Sequence, residues 1–189
     1  MIKLLGISGS LRAASFNTAL LRAAQGAVPG EVVLEAATLH GIPLYDGDDE
    51  QRNGTPPAVR ELKTRILAAD GLLLVTPEYN NGVPGVFKNA VDWLSRPTSG
   101  LHDVFRDRPV AVIGASPGGF GTILAQGHWL PVLRTLGARH WSGGRLMVSR
   151  AAAVFAADGT LQDEGLRKQL GEFLQGFAAF TATNTQEQP

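Results

Sequence analysis

One segment near the amino terminus limits most strongly what this chain can fold into. An apolar run at residues 2–5 passes into Gly-Ile-Ser-Gly-Ser-Leu-Arg-Ala-Ala-Ser-Phe-Asn at residues 6–17. The pattern predicts a strand, then a loop of small and hydroxyl-bearing residues with one arginine, then a helix that begins near Asn17. A loop of this kind between a strand and a helix is typical of phosphate sites in α/β proteins.

The residues of this loop suit a phosphate chemically. Gly6 and Gly9 are expected to let the backbone turn tightly and to leave its N–H groups bare. Serine hydroxyls and an arginine donate to phosphate oxygens, and the first turn of the helix adds unpaired N–H groups and a favourable dipole. The side-chain donors predicted here are those of Ser8, Ser10, Arg12, Ser15 and Asn17.

Two better-known phosphate loops are excluded by the same residues. No Lys-Ser or Lys-Thr pair follows the glycines, so the loop is not the P-loop of ATPases and GTPases. Arg12 and Ala14 stand where a dinucleotide fingerprint places small residues against a pyrophosphate. A serine-rich loop with one arginine favours a terminal monophosphate ester. An ordinary strand-to-helix turn without a ligand stays the alternative.

Composition restricts the class of protein further. The 189 residues are expected to form one domain over 1–180, followed by a polar tail at 181–189. Seventeen basic residues balance seventeen acidic ones, which argues against a nucleic-acid or membrane surface. No apolar stretch is long enough for a bilayer, and the amino terminus lacks a secretory pattern, so a cytoplasmic location is expected.

The chemistry of the side chains points to a bound cofactor for any redox reaction. There are no cysteines, which excludes disulfides, thiolate metal sites and cysteine nucleophiles. The histidines lack a metal-ligand spacing, and no metal is predicted; they are His40, His102, His128 and His140. No Gly-x-Ser-x-Gly motif accompanies the serines, so a serine hydrolase is not indicated.

Strand and helix patterns alternate along the whole chain. The predicted strands are residues 2–8, 31–36, 72–75, 109–115 and 141–148. The predicted helices are residues 17–27, 56–69, 86–94, 122–136 and 161–180, with a loop at 43–49. The alternation predicts an α/β fold, a doubly wound five-stranded parallel sheet of order 2-1-3-4-5 with helices on both faces. The loops after strands 1, 3 and 4 should then meet at one site.

The loops after strands 3 and 4 have the composition of a binding site. Residues 76–85 contain two prolines and two glycines, which fix the backbone, and an aromatic and two amides, Tyr79, Asn80 and Asn81. A fixed backbone can present N–H and C=O groups to the edge of a flat heterocycle. Residues 116–121 supply further glycines that allow close approach of a ring. For both loops a plain turn before a helix is the alternative, with Pro84 simply starting one.

Three motifs together resemble the NAD(P)H-dependent FMN reductase family. They are Gly-Ser-Leu-Arg-x-x-Ser-x-Asn at 9–17, Pro-Glu-Tyr-Asn at 77–80 and Pro-Gly-x-x-Lys-Asn-Ala-x-Asp-Trp at 84–93. The resemblance extends to about residue 180 and implies the flavodoxin-like form of the predicted fold. It implies FMN as cofactor, with the phosphate on the first loop and the isoalloxazine ring against the other two.

The resemblance also implies roles for particular residues. The implied FMN-binding residues are Ser10, Leu11, Arg12, Ser15, Phe16, Asn17, Pro77, Glu78, Tyr79, Asn80, Ser116, Gly118 and Gly119. Glu78 is expected to bond within its own turn rather than to relay protons, and no catalytic side chain is predicted. Asn81 and Gly82 depart from relatives that carry an aromatic residue or histidine followed by serine, which thins the wall where a nicotinamide or quinone would stack.

The implied activity is hydride transfer from NAD(P)H through flavin N5 to a quinone-like, azo, metal-oxyanion or flavin acceptor. An FMN-binding electron carrier or redox sensor is the alternative, although the zero net charge argues against a carrier. The family implies a homodimer or homotetramer. Candidate contacts are Phe87, Val91, Trp93, Leu94 and the loop 96–100, with the core as the alternative for the apolar ones. Lys88 and Asp92 are expected to make structural or dimer contacts.

Overall fold

The computed structural model of the protein describes residues 1–97 and 104–186. Its strands are β1 (Ile2–Ser8), β2 (Val32–Ala37), β3 (Gly71–Val75), β4 (Pro109–Ala115), β5 (Arg139–His140) and β6 (Met147–Val148). Its helices are α1 (Phe16–Gln25), α2 (Gly47–Asn53), α3 (Pro57–Leu67), α4 (Gly85–Leu94), α5 (Ile123–Thr135) and α6 (Glu164–Gln186), with a 3₁₀ turn at Ala151–Ala153.

The strands form one parallel sheet in the predicted order 2-1-3-4-5. β1 lies between β2 and β3, and β4 follows β3. Both β5 and β6 pair with β4, on the side away from β3. Because every pair is parallel, all carboxyl ends lie at one edge, and the loops after β1, β3 and β4 leave the sheet side by side. The predicted fold class is therefore confirmed.

Alternation of side chains along the buried strands divides the core into two layers. Leu73 and Val75 of β3 pack into the layer shared with α1 and α6, whereas Leu72 and Leu74 face the layer shared with α3, α4 and α5. β3 and β4 are buried along their whole length. Continuous apolar strands of this type are what a parallel sheet covered on both faces requires.

The predicted last strand at 141–148 is wrong, because the chain leaves the sheet between β5 and β6. The Trp141 ring packs edge-to-face on Phe173 of α6, with centroids 4.8 Å apart. A Cβ atom at Gly143 or Gly144 would lie within 3 Å of the same ring. The Trp141 N–H and the Leu146 carbonyl still bond to β4, and residues 142–145 between them leave the sheet around the indole.

Two helix boundaries also differ from the prediction. The region 43–49, predicted as a loop, contains the start of α2, whose Asp46 cap accepts from the N–H of Asp48 at 2.9 Å. The predicted end of the last helix at Phe180 is wrong, since α6 continues to Gln186 and Thr181 is fully buried. The Thr181 hydroxyl donates to the Phe177 carbonyl at 2.9 Å, which lets a polar residue remain inside the helix. Within the described ranges, no helix combines the length and apolarity that crossing a membrane needs.

Candidate functional site

The loop after β1 is held in shape by its own polar side chains. Ser15 is the N-cap of α1, and its hydroxyl accepts from the N–H groups of Asn17 at 3.2 Å and Thr18 at 3.3 Å. The hydroxyl of Ser10 accepts from the Arg12 N–H at 3.3 Å. Ser8, predicted as a phosphate donor, instead pairs with the Thr18 hydroxyl at 2.8 Å.

Asn17 joins this loop to the end of β4. Its side-chain N–H donates to the Ala115 carbonyl, and its side-chain oxygen accepts from the Ala115 N–H, both at 2.9 Å. The residue is only 4% exposed. Two opposed bonds to one backbone residue occupy the amide on both sides, so Asn17 fixes the distance between the first and third loops.

The first loop offers main-chain donors and one guanidinium outward. The N–H groups of Leu11, Ser15 and Phe16 have no acceptor within residues 1–97 and 104–186. The exposed Arg12 side chain likewise has no partner in the part of the chain that the structure describes. Unpaired N–H groups at the start of a helix, with a neighbouring guanidinium, form a site for an anion such as a phosphate.

The glycines of the first loop have roles that the sequence did not reveal. Gly9 donates its N–H to the Val75 carbonyl at 2.9 Å, so that group is not bare as predicted. A Cβ at Gly9 would lie 2.2 Å from the Phe87 ring, and one at Gly6 would lie 2.3 Å from Leu21. Both glycines therefore admit close packing of helices against the sheet and the loop.

The loop after β3 forms a tight turn at its tip. Tyr79 and Gly82 exchange two main-chain bonds, of 3.1 and 3.0 Å, across Asn80 and Asn81. Both asparagines have positive φ, 49° and 62°, the conformation of a type I′ turn, which asparagine tolerates better than most residues. The turn leaves Tyr79 half exposed beside the site.

Glu78 connects the second loop to the third. Its carboxylate accepts from the N–H groups of Leu124 at 2.9 Å and Ala125 at 3.0 Å, in the first turn of α5. Thr122, the residue that precedes this helix, makes no side-chain cap. The prediction that Glu78 bonds within its own turn is wrong, because the carboxylate supplies the missing cap of α5 from another loop.

The loop after β4 leaves its glycines open. Ser116 and Gly118 are held through their backbones, since their carbonyls accept from Ala151 at 3.0 Å and Arg150 at 2.8 Å. A Cβ at Gly118 or Gly119 would meet no atom of the described chain within 4 Å, and neither residue has positive φ. Neither packing nor backbone conformation requires glycine here. A flat group that approaches this backbone from outside gives a reason for it, so the loop fits the isoalloxazine of FMN.

Sequence reasoning missed two residues beside these loops. His40, dismissed as a scattered histidine, donates from Nε2 to the Leu11 carbonyl at 3.2 Å, while its Nδ1 lies 3.1 Å from the Thr38 hydroxyl oxygen. Phe120 is 78% exposed and follows the open glycines directly. No spacing marks His40, but an aromatic after Gly-Gly in a site loop is a signal that could have identified Phe120.

The segment after β2 packs beside the site and supports α4. The Tyr45 N–H donates to the Asn89 side chain at 2.8 Å, and its hydroxyl donates to Glu50 at 3.0 Å. Desolvation, followed by this bond, raises the pKa of Tyr45. Lys88 and Asp92, expected to make structural or dimer contacts, form an ion pair with each other along α4 at 2.7 Å.

Thus three loops are connected by hydrogen bonds at one edge of the sheet. In a comparison with protein families, the model of the NADPH-dependent FMN reductases matches residues 2–153. The chain belongs to this family. The predicted oxidoreductase class, with FMN as cofactor and NAD(P)H as reductant, is thereby confirmed.

Individual relatives agree with this assignment. An NAD(P)H-dependent FMN reductase of Pseudomonas aeruginosa is 45% identical over 174 residues, 92% of each chain. A 2-hydroxy-1,4-benzoquinone reductase of a Burkholderia species is 36% identical over 95% of this chain and 96% of its own. Among solved structures, the flavoenzyme NAD(P)H:(acceptor) oxidoreductase FerB of Paracoccus denitrificans has a TM-score of 0.84 at 34% identity, covering 97% of this chain and 99% of its own.

The residues predicted for subunit contacts do not lie on the surface. Phe87, Val91, Trp93 and Leu94 are all at most 3% exposed within the single chain and belong to the layer beneath α4. Their prediction as dimer contacts is therefore wrong, and they belong to the core, which was the alternative. Positions 98–100 of the predicted contact loop, and His102, lie outside the described residues. No cluster of three metal-ligating side chains is present in the described ranges.

Proposed function

We propose that this protein is an NAD(P)H-dependent reductase of quinone-like acceptors, with FMN held across the three connected loops. The main support is the combination of unpaired N–H groups at the start of α1 with the open Gly118 and Gly119. The first suits a phosphate ester and the second a flat ring. Bound FMN supplies the redox chemistry, taking a hydride from NAD(P)H and delivering two electrons to the acceptor.

In this proposal the residues of the chain bind FMN and orient it. The main-chain groups of Leu11 and Phe16, the hydroxyls of Ser10 and Ser15 and the Arg12 guanidinium bind the phosphate. Asn17 acts by holding the loop, since its amide is occupied by Ala115. The backbones of Pro77, Glu78, Tyr79 and Asn80 line one side of the ring, and those of Ser116, Gly118 and Gly119 line the other.

The exposed apolar side chains at the mouth of this site support an aromatic acceptor. Phe120 and Tyr79 border the loops, and Leu124 of α5 is also exposed. A quinone presents an apolar ring with two carbonyl acceptors, which suits such a rim better than a highly charged oxyanion does. The homologous 2-hydroxy-1,4-benzoquinone reductase is consistent with this choice among acceptors.

The test is an anaerobic absorbance spectrum of the FMN-loaded protein before and after one equivalent of NADPH. We expect prompt bleaching of the flavin, and recovery of the oxidised spectrum when a benzoquinone is added. Bleaching without recovery would contradict the quinone acceptor. Flavin that binds and stays oxidised with both NADPH and NADH would contradict the reductase and favour the carrier or sensor.

We also propose a cytoplasmic homodimer. Ile123 and Leu130 leave apolar surface on α5, which a second subunit would cover. Light scattering at micromolar concentration should give twice the monomer mass, and a monomer mass would contradict the proposal.

A further inference from the structure

A second cleft adjoins the first loop on the outer side of α1. It has a volume of about 630 Å³ and lies between α1 and residues 152–159. Arg12 and Ser15 border it at one end, and Arg22 lies two turns further along α1. The cleft thus begins at the proposed phosphate site and leads away from it. Its size is within the range of small-molecule sites, roughly 300–1,000 Å³.

Most of the residues that line this cleft have apolar side chains. Phe16 and Phe155 stack on each other with ring centroids 6.1 Å apart and both line the cleft. Short side chains make up much of the remaining wall, those of Ala13, Ala14, Ala152, Ala156 and Ala157. Such a surface accommodates a flat ring without offering it many competing polar groups.

The lining of the cleft carries more positive than negative charge. Neither the Arg22 nor the Arg12 guanidinium has a partner within the described residues, although both lie on the same cleft. The one acidic residue of the lining is Asp158, which accepts from the Thr160 N–H at 2.8 Å. Because the Arg12 guanidinium is assigned to the FMN phosphate, Arg22 is the cation left for a second ligand. Its position beside an apolar wall matches a ligand that carries a phosphate next to an aromatic ring.

We propose that this cleft binds the adenosine 2′-phosphate end of NADPH, and that Arg22 recognises the 2′-phosphate. The proposal rests on the NAD(P)H-dependent activity proposed above. Arg22 lies seven residues beyond Ser15 on α1, which corresponds to about 10 Å of helix rise. A phosphate bound at the first turn is therefore out of its reach. In this proposal the adenylate half of the dinucleotide extends away from the nicotinamide and occupies this second position.

Other arginines fit this role less well. Arg52 lies 3.9 Å from Asp49 on the exposed α2. Arg106 precedes β4, at the amino-terminal edge of the sheet and far from the site loops. An arginine near the adenine ribose is the usual means of accepting a 2′-phosphate. Arg22 lines the cleft beside the phosphate loop and, unlike Arg12, is not assigned to the FMN phosphate.

The direct test compares two fragments of the dinucleotide by calorimetry on the FMN-loaded protein. Loaded FMN blocks the first phosphate site, so the fragments report the second one. We expect 2′,5′-ADP to bind at least about 10-fold more tightly than 5′-AMP, because the additional phosphate gains a charge-assisted contact. The variant Arg22→Ala should lose this preference, Arg22→Lys should keep part of it, and Arg52→Ala should keep all of it. Equal affinities, or no binding of either fragment, would overturn the proposal.

Steady-state kinetics separate this proposal from the proposed function. Arg22→Ala should lower kcat/KM for NADPH about 10-fold, mainly through KM, and should leave kcat/KM for NADH unchanged. A loss with both reductants, or with neither, would overturn the role of Arg22 while the reductase itself stands. If the protein binds 2′,5′-ADP more tightly than 5′-AMP but oxidises neither NADPH nor NADH, the proposed function is contradicted. The assignment of the cleft to the adenosine 2′-phosphate then stands.

Discussion

The first and third loops of the site use small and polar residues in opposite ways. In the first loop Ser8, Ser15 and Asn17 bond to other parts of the chain, and Gly9 has no room for a side chain. In the third loop Gly118 has free space where its side chain would be. Contacts within the protein thus explain the residues of the first loop, whereas they do not explain the glycine at position 118 of the third.

This difference separates motif residues that hold a loop in shape from motif residues that leave room for a ligand. Motif residues of the first loop mostly hold its shape, and the donors left for an anion are backbone N–H groups, the Ser10 and Ser15 hydroxyl protons and Arg12. In the third loop, the open space beside Gly118 and Gly119 supports the proposed ring site. Substitutions should therefore affect folding in the first loop and binding in the third, with Arg12 as the exception.

The largest expected effect comes from Asn17→Ala. The change leaves the N–H and C=O of Ala115 buried without partners, at a cost of roughly 2–4 kcal/mol in the free energy of unfolding. Urea denaturation measures this loss. Asn53→Ala, which removes an exposed contact with Asp49, is the matched control and should cost less than about 0.5 kcal/mol. An Asn17 variant as stable as the control would mean that the first loop is not held by the chain.

Arg12→Ala should behave in the opposite manner. The guanidinium has no partner in the described part of the chain, so the free energy of unfolding of the apoprotein should stay within about 0.5 kcal/mol. FMN affinity should fall by about 1.5–3 kcal/mol, because a charge-assisted bond to phosphate is lost. Quenching of flavin fluorescence measures the affinity, with Arg52→Ala as control. Retention of wild-type affinity would place the phosphate elsewhere.

A pair of glycine substitutions compares the two loops directly. Gly9→Ala should destabilise the apoprotein by about 1–3 kcal/mol, because the new methyl group collides with Phe87. Gly118→Leu should leave apoprotein stability nearly unchanged, yet lower FMN affinity about tenfold or more by filling the space for the ring. Thermal unfolding and fluorescence titration of both variants test this. Equal effects on stability would remove the contrast between the loops.

The smallest expected effect concerns the connection between the second and third loops. Glu78→Ala removes the cap of α5 and should cost about 1 kcal/mol of stability. Glu78→Gln keeps an oxygen acceptor and should recover most of it. If both variants match the wild type in urea denaturation, the carboxylate does not hold α5 in solution.

Much of the fold could be predicted because its signals are local. Both ends of β1 and of β4 agree with the prediction, since short apolar runs bounded by glycine, proline or serine define them. The last strand could not be predicted, because the chain leaves the sheet after Trp141, whose ring packs on Phe173 more than thirty residues away. The helix α2 was missed because four of its seven residues are charged and none is buried, so it lacks the periodicity that a packed helix shows.

The sequence by itself determined the strand order, the meeting of three loops and, through its motifs, the family. Only the tertiary structure decided what each motif residue does. Glu78 caps a helix that begins 45 residues later, and Asn17 holds the end of β4, 98 residues away. A hydrogen bond between distant segments leaves no periodicity in the chain, because its partners are chosen by folding rather than by spacing. The same holds for Arg22, whose neighbours at 152–159 are brought to it by the fold.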